Sequence, residues 1–282
     1  MNSSAVSGLS FMMILFSPHP GGMNPSAAFL KFATWSRNLG FAHATLYTLY
    51  RVLHRAFKGR ILALNAKGFR HPFYCRSGGS DLQVFAQVVA NREYRCLDKF
   101  DVSGLIIDCG ANIGLSTLYF LTRFPNAHLI ALEPDPDNFR MLALNTACFR
   151  DRVTLLQAAV WNRNTDLVFS DSQFRDGNEW TRSCRESEAS EIPQIEAFDI
   201  STILAMSSFE RVELLKVDIE RGELVLFDES AENWIKLVDT IAIELHGPDC
   251  ENAFHTIVGR EDFLVSHCEE LTVCSRHMPS GS

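Results

Sequence analysis

The sequence predicts an α/β fold: a parallel sheet covered by helices on both faces, with a helical extension on its N-terminal side. Three observations carry that prediction. A short apolar run, Leu105-Ile106-Ile107, ends at Asp108 and passes through Gly110 and Gly114 into a helical pattern (Leu115, Leu118, Tyr119, Leu121), which reads as strand, turn, helix. The alternation then continues as strand 128–133, helix 136–147 and strand 153–160, a βαβ series and therefore a parallel sheet. Acidic residues close several of these strands, and open α/β sheets collect ligands at the carboxyl ends of their strands.

Composition sets bounds on this reading. A chain of 282 residues with 46% hydrophobic content buries a sizeable core, as one domain with an extension or as two small ones. A formal net charge of −8 argues against non-specific binding to nucleic acid. The eight cysteines contain no C-x-x-C pair, which speaks against a zinc site or disulfide framework and for a reducing compartment. Cys109 is read as a small packing residue, since no base stands beside it. No apolar run reaches the ~18 residues of a membrane span. The apolar run from Leu9 to Phe16 lacks a preceding basic residue, so a secretory signal is not expected and a cytoplasmic location is.

In chain order, residues 1–23 show no period and are expected to be poorly ordered. Asn24-Pro25 is a helix start. Apolar residues recur at helical spacing from Ala27 to Phe57, split by Gly40 into two helices. Arg51, His54, Arg55, Lys58 and Arg60 give the second helix a basic face: a solvated side of a cap or dimer helix, or a docking face for a carrier protein or membrane. Phe69 to Cys75 reads as a strand, and Ser80 or Asp81 can cap the helix after it. Asp135-Pro136 caps the helix at 136–147. Strand 153–160 ends Gln-Ala-Ala-Val, where Ala159 leaves room for a flat ring. The polar stretch 171–192, with Gly177 and Trp180, is long enough to be a substrate lid or a floppy insertion. Glu213 to Ile219 is the fourth strand and Val238 to Leu245 the fifth. Asp249 to Val258 is a helix stopped by Gly259. Phe263–Ser266 and Leu271–Ser275 form a closing antiparallel hairpin, and the final Pro-Ser-Gly-Ser is expected to be unstructured.

The glycine turn defines a ligand class. A dinucleotide turn is G-x-G-x-x-G, with a pyrophosphate on the helix N-terminus; here the order is Asp108-x-Gly110-x-x-x-Gly114. An acid before the first glycine repels a pyrophosphate and welcomes a cation or a hydroxyl donor, such as the sulfonium and α-amino group of S-adenosylmethionine (SAM). Glu133 closes the next strand, 25 positions later, and is placed to accept both hydroxyls of an adenosine ribose. A turn without a ligand is the plain alternative. Lys216, Asp218 and Glu220 alternate along the end of the fourth strand, so they line up toward one side; Glu244 and His246 close the fifth.

Asp108-Cys-Gly-Ala-Asn-Ile-Gly114, Ala131-Leu-Glu-Pro-Asp-Pro-Asp-Asn-Phe139 and Leu214-Leu-Lys-Val-Asp-Ile-Glu-Arg-Gly-Glu223 together resemble the FkbM-type SAM-dependent methyltransferases, over about Phe73 to Gly247. The resemblance implies a Rossmann-like class I methyltransferase sheet of seven strands, the last antiparallel, occupying 69–278 behind an extension at 1–68. It implies SAM as cofactor, held by Asp108, Gly110, Asn112, Gly114, Glu133, Ala159 and Asp218. Asp81 joins them through the Arg…Ser-Asp element at 76–81, though capping alone also explains it. The acceptor is then a hydroxyl on a sugar, glycolipid, polyketide or peptide product, free or carrier-bound, with a possible homodimer through the N-terminal helices. Glu220 or His246 takes the acceptor's proton, with Lys216 beside them; His246 has the better unperturbed pKa, and a structural histidine is its alternative. A metal-assisted route through Asp218, Glu220, Glu244 and His246 ranks second, for want of a tight ligand motif. Arg221 before Gly222 departs from the usual Asp-x-Glu-Gly and leaves the acceptor class open. An NAD-dependent oxidoreductase and a catalytically silent SAM-fold interaction protein remain as alternatives.

Overall fold

A computed structural model of the protein describes residues 25–53, 56, 58–169, 184–187, 192 and 194–277. Several expectations lie outside the described residues: the poor order of 1–23 and of the last four residues, the Asn24 cap, His54 and Arg55 of the basic face, and Gly177 and Trp180 of the polar stretch. Among the described residues, no helix is long and apolar enough to cross a membrane. The chain forms two compact units, Met1–Arg92 and Glu93–Ser282.

The first unit opens with α1 (Pro25–Leu39) and α2 (Phe41–Val52), divided at Gly40 as the pattern predicts. Arg51 does not stand free on a basic face: its guanidinium lies 5.5 Å from the Trp35 ring and 6.0 Å from Tyr47. A hairpin follows, with β1 (Ile61–Leu64) antiparallel to β2 (Phe73–Arg76). The strand expected from Phe69 begins only at Phe73, because Pro72 lacks the N–H that a ladder needs. Nor does Ser80 or Asp81 cap α3 (Asp81–Phe85) by its side chain. The Asp81 carboxylate instead takes the Arg76 guanidinium at 2.9 Å through both oxygens and the Arg76 backbone N–H at 2.7 Å. A two-pronged charged pair outweighs a single cap bond.

In the second unit β3 (Leu105–Cys109), β4 (His128–Leu132), β5 (Val153–Leu156), β10 (Val212–Val217) and β11 (Thr240–Glu244) run parallel, joined to β13 (Leu271–Ser275) and β12 (Leu264–Cys268), with β13 antiparallel to both neighbours. The order across this seven-stranded sheet is β12-β13-β11-β10-β3-β4-β5. Strand β3 is central and buried along its whole length, so its apolar run is continuous rather than alternating. Burying side chains such as Leu105, Ile106 and Ile107 contributes about 1.5–3 kcal/mol each. Helices α4 (Leu115–Arg123), α5 (Pro136–Thr146) and α8 (Pro248–Val258) are where the periodicity puts them. Asp135 caps α5 by accepting from the N–H groups of Asp137 and Asn138.

The strand expected over 153–160 is two strands. β5 stops at Leu156 as the last strand of the main sheet. The chain then turns away, and β6 (Ala159–Val160) pairs with β9 (Ile195–Phe198) in a second sheet of order β6-β9-β7-β8. In it, β7 (Thr165–Phe169) pairs antiparallel with β9 and with β8 (Cys184–Glu186). Its small core is Ala159, Trp161, Leu167, Ile195 and Ala197. β8 falls inside the stretch read as a lid or insertion.

Gly110 locks the centre of the main sheet. Its φ is +75°, and a Cβ there would lie 1.9 Å from the Asp218 carbonyl oxygen, so the end of β10 packs directly on the turn after β3. Gly110→Ala should therefore cost more than the ~1–3 kcal/mol of a strained φ alone, read as a lower urea midpoint. An unchanged midpoint would show that these strand ends separate easily.

Candidate functional site

The site is built on a buried charge pair. Asp108 is 0% exposed; its Oδ2 accepts from the hydroxyls of Ser116 at 2.8 Å and Thr117 at 2.7 Å. Lys216, 2% exposed, places Nζ 3.1 Å from Asp108 Oδ1, out of line for a hydrogen bond, so the contact is ionic. Nζ donates instead to the carbonyls of Gly110 at 2.7 Å and Cys109 at 3.2 Å. Burial alone would lower the Lys216 pKa, but the Asp108 and Asp218 carboxylates more than offset it and hold it above the usual lysine range. Lys216 is thus a fixed cation under the turn, a strut rather than a proton acceptor. Asp108, read from the sequence as facing the ligand, is likewise inside the fold and absent from the cleft wall.

Above this pair opens a cleft of about 850 Å³, counted out to open solvent, walled by Gly110, Asn112, Glu133, Ala159, Asp218 and Glu220 among others. Asn112 stands at φ 50°, a left-handed conformation that asparagine tolerates, and this turns its N–H onto Glu133 Oε2 at 2.8 Å. The Asp135 N–H meets the other oxygen at 2.9 Å. Two backbone donors fix the Glu133 carboxylate while lone pairs remain for hydroxyl groups in the cleft. Burial raises its pKa to about 7, and the two N–H bonds limit the rise. Gly114, at φ +84°, is packed under Leu142 of α5 and positions the turn without lining the cleft. Across from Glu133, the second sheet contributes Ala159, Trp161, Phe169 and Cys184.

The acidic end of the site follows β10. The period-2 alignment of Lys216, Asp218 and Glu220 does not hold, because β10 ends at Val217. Beyond it Glu220 and Arg221 have φ of 50° and 72°, which reverses the chain and brings Asp218 and Glu220 to the cleft while Lys216 stays below. Consecutive left-handed non-glycine residues are strained and collect at functional sites. His246 follows β11. Its Nε2 lies 3.6 Å from Glu220, 3.8 Å from Glu244 and 3.9 Å from Asp218. Its Nδ1 lies 3.0 Å from Glu223 Oε1. Burial alone would lower the His246 pKa, but the Glu223 bond and the surrounding carboxylates raise it to about 9. Burial pushes Glu220 to about 7, with the His246 charge opposing, and Glu244 to about 8, with Asp218 adding. Asp218, Glu244 and His246 bring one ligand atom each within 4.8 Å of one another.

Gly110, Asn112, Glu133, Ala159, Asp218 and Glu220 therefore share one cleft, with His246 behind Glu220. Asp81 belongs to the other compact unit and is held by Arg76. Sequence reasoning missed Glu223, Trp161 and Phe169. Glu223 stands three residues after Glu220 at the start of α7 (Glu223–Leu226), a spacing that announces nothing by itself. Trp161 follows the Ala-Ala-Val already read as a ring site, and that proximity was the available signal.

The chain is similar to known methyltransferases. The model of the methyltransferase FkbM domain matches residues 108–269. Methyltransferase sdnD of Sordaria araneosa is 30% identical over 188 residues, spanning 53% of this chain and 71% of that protein. Methyltransferase 1 of Beauveria bassiana is 26% identical over 197 residues, spanning 58% of this chain and 78% of that protein. Among solved structures, a precorrin-6y C5,15-methyltransferase from Geobacter metallireducens aligns with a TM-score of 0.40 at 13% identity, over 67% of this chain and 90% of that one.

The raised pKa values set a pH dependence of stability. Glu133, Glu220 and Glu244 move up from 4.5 to about 7, 7 and 8, and His246 from 6.5 to about 9. The folded chain holds all four protons more tightly than the unfolded chain. The stabilisation is complete below the unfolded values and is lost as pH rises through the folded ones. The melting temperature of the ligand-free protein should fall between about pH 5 and about pH 9, and less so in a Glu220→Gln/Glu244→Gln double variant. A melting temperature that climbs across that window would contradict the site electrostatics.

Proposed function

This chain belongs to the FkbM methyltransferase family, and we propose that it transfers the methyl group of SAM to a hydroxyl of a sugar, a glycolipid, or a polyketide or peptide product. The residues present fit the cofactor. A cation and two ribose hydroxyls call for carboxylates, and the cleft offers Glu133 and Asp218. A flat purine calls for small and aromatic neighbours, and the same cleft offers Ala159, Trp161 and Phe169. In this reading Glu133 and the Asn112 turn hold the ribose, and Asp218 faces the methionine end. When bound, SAM supplies the electrophilic methyl and its own leaving group.

What remains for the protein is to place the acceptor in line and to remove its proton. The observation that carries the hydroxyl reading is Glu220. It lines the cleft, its side chain is 38% exposed with its carboxylate 3.6 Å from His246 Nε2, and its pKa of about 7 suits a general base near neutral pH. His246, the first choice on unperturbed pKa, is an imidazolium at that pH and has no vacant nitrogen to take a proton. Its charge opposes the rise that burial imposes on the Glu220 pKa. Glu220 takes the proton that the acceptor hydroxyl loses and releases it to solvent. Lys216 takes no proton; it holds the Cys109–Gly110 turn in place.

Two measurements test this. Glu133→Ala should weaken SAM binding by at least ~1–3 kcal/mol in calorimetry, the loss expected for charged hydrogen bonds; unchanged affinity removes the ribose assignment. Glu220→Gln should keep SAM affinity and lower kcat about 10²–10⁴-fold with a hydroxylated acceptor. The wild-type log kcat/KM should rise with pH to a plateau whose midpoint lies near 7, and the variant should lose that limb. A limb retained in Glu220→Gln would transfer the base role to another group.

A further inference from the structure

Glu223 has no place in the reaction described so far, yet it is the most buried carboxylate next to the acidic cluster. It is 0% exposed and sits at the first position of α7. Its Oε1 accepts the Ile219 backbone N–H at 3.2 Å and meets His246 Nδ1 at 3.0 Å. One oxygen thus ties the strained loop 218–221 to the imidazole ring. With Nδ1 anchored inward, Nε2 is turned toward Glu220, Glu244 and Asp218. Of these, Glu220 is nearest to Nε2 and lines the cleft.

We infer that Glu223 is a positioning residue: its buried carboxylate holds the His246 ring with Nδ1 inward and Nε2 toward Glu220, and so keeps Glu220 aimed at the acceptor hydroxyl. The inference rests on the reading of Glu220 as the base. The chain of contacts is Glu223 to His246 to Glu220 to acceptor, and only the last member touches the reacting atoms. A carboxylate behind a histidine ring fixes which nitrogen faces outward and favours the charged ring.

The groups that face His246 come from each element around it. Asp218 and Glu220 come from the loop after β10, Glu223 from α7 and Glu244 from the end of β11. Cys250 of α8 lies against Glu223 rather than the ring. Arg221, on the same loop, is 4.0 Å from Asp249 of α8. Lys216, below the loop, places Nζ 3.9 Å from Asp218 Oδ2, so two cations stand near the cluster while the ring itself faces carboxylates.

The test follows the His246 ring by nitrogen-15 NMR on the full chain, with no acceptor present. In the unmodified protein at pH 7.5, both ring nitrogens should carry protons, and the Nδ1 proton should be shifted downfield and slow to exchange. In Glu223→Gln the His246 titration midpoint should fall by ~1–3 pH units, the size expected for loss of an adjacent opposite charge. SAM affinity should stay the same, kcat should fall with little change in acceptor KM, and Glu223→Asp should recover part of both signals. An unshifted midpoint in Glu223→Gln overturns the inference. So does a fast-exchanging Nδ1 proton in the unmodified chain, which needs no variant to fold. Because the ring titration needs no turnover, a failure to find any hydroxyl acceptor would strike the proposed reaction and leave this result legible.

Discussion

The constraint on which the site depends is the ion pair of Asp108 and Lys216, sealed between the two central strands. Two charges in a dry interior are costly unless paired and hydrogen-bonded, and here the surroundings complete them. Ser116 and Thr117 serve Asp108; the carbonyls of Cys109 and Gly110 serve Lys216. The pair therefore orients the peptide groups of the glycine turn. The Asp218 N–H in turn bonds the Cys109 carbonyl at 3.2 Å, and the Asp218 carbonyl closes on Gly110. Turn and acidic loop are one mechanical unit, which explains why a charge sits in a strand that is otherwise apolar.

From that unit the two ends of the cleft acquire different chemistry from the same residue type. Glu133 is held by two backbone N–H groups beside small and aromatic side chains. Glu220 is held on a left-handed loop 3.6 Å from His246 Nε2. Carboxylates are sorted into binding and acid–base roles by what surrounds them. The histidine, ordinarily the group that titrates near neutrality, is moved out of that range by its acidic neighbours, and a carboxylate is moved into it.

The second sheet completes the cleft from the other side. β6 leaves the main sheet at the last strand of the parallel series, so Ala159 and Trp161 reach the ligand wall without belonging to the sheet that carries the acids. The region matched by the family model, 108–269, spans the residues that line the cleft.

How much was legible in the sequence follows from the range of each interaction. Local signals were reliable. The apolar run 105–107, the Asp135-Pro136 cap, Gly40 between α1 and α2, and the closing hairpin each depend on neighbours within a few positions, and the structure has them. The motif residues Gly110, Asn112, Glu133, Asp218 and Glu220 were readable because a turn and a strand end impose their own spacing. The tertiary structure decided the rest. Asp108 and Lys216 are 108 positions apart, and their pairing inside the sheet, below the cleft wall, could not be read from either strand end. The alternation of Lys216, Asp218 and Glu220 failed once the strand ended and φ turned positive. Four carboxylates from three separate elements converge on His246 and raise its pKa, which no stretch of sequence announces, since a pKa is a sum over neighbours in space rather than along the chain.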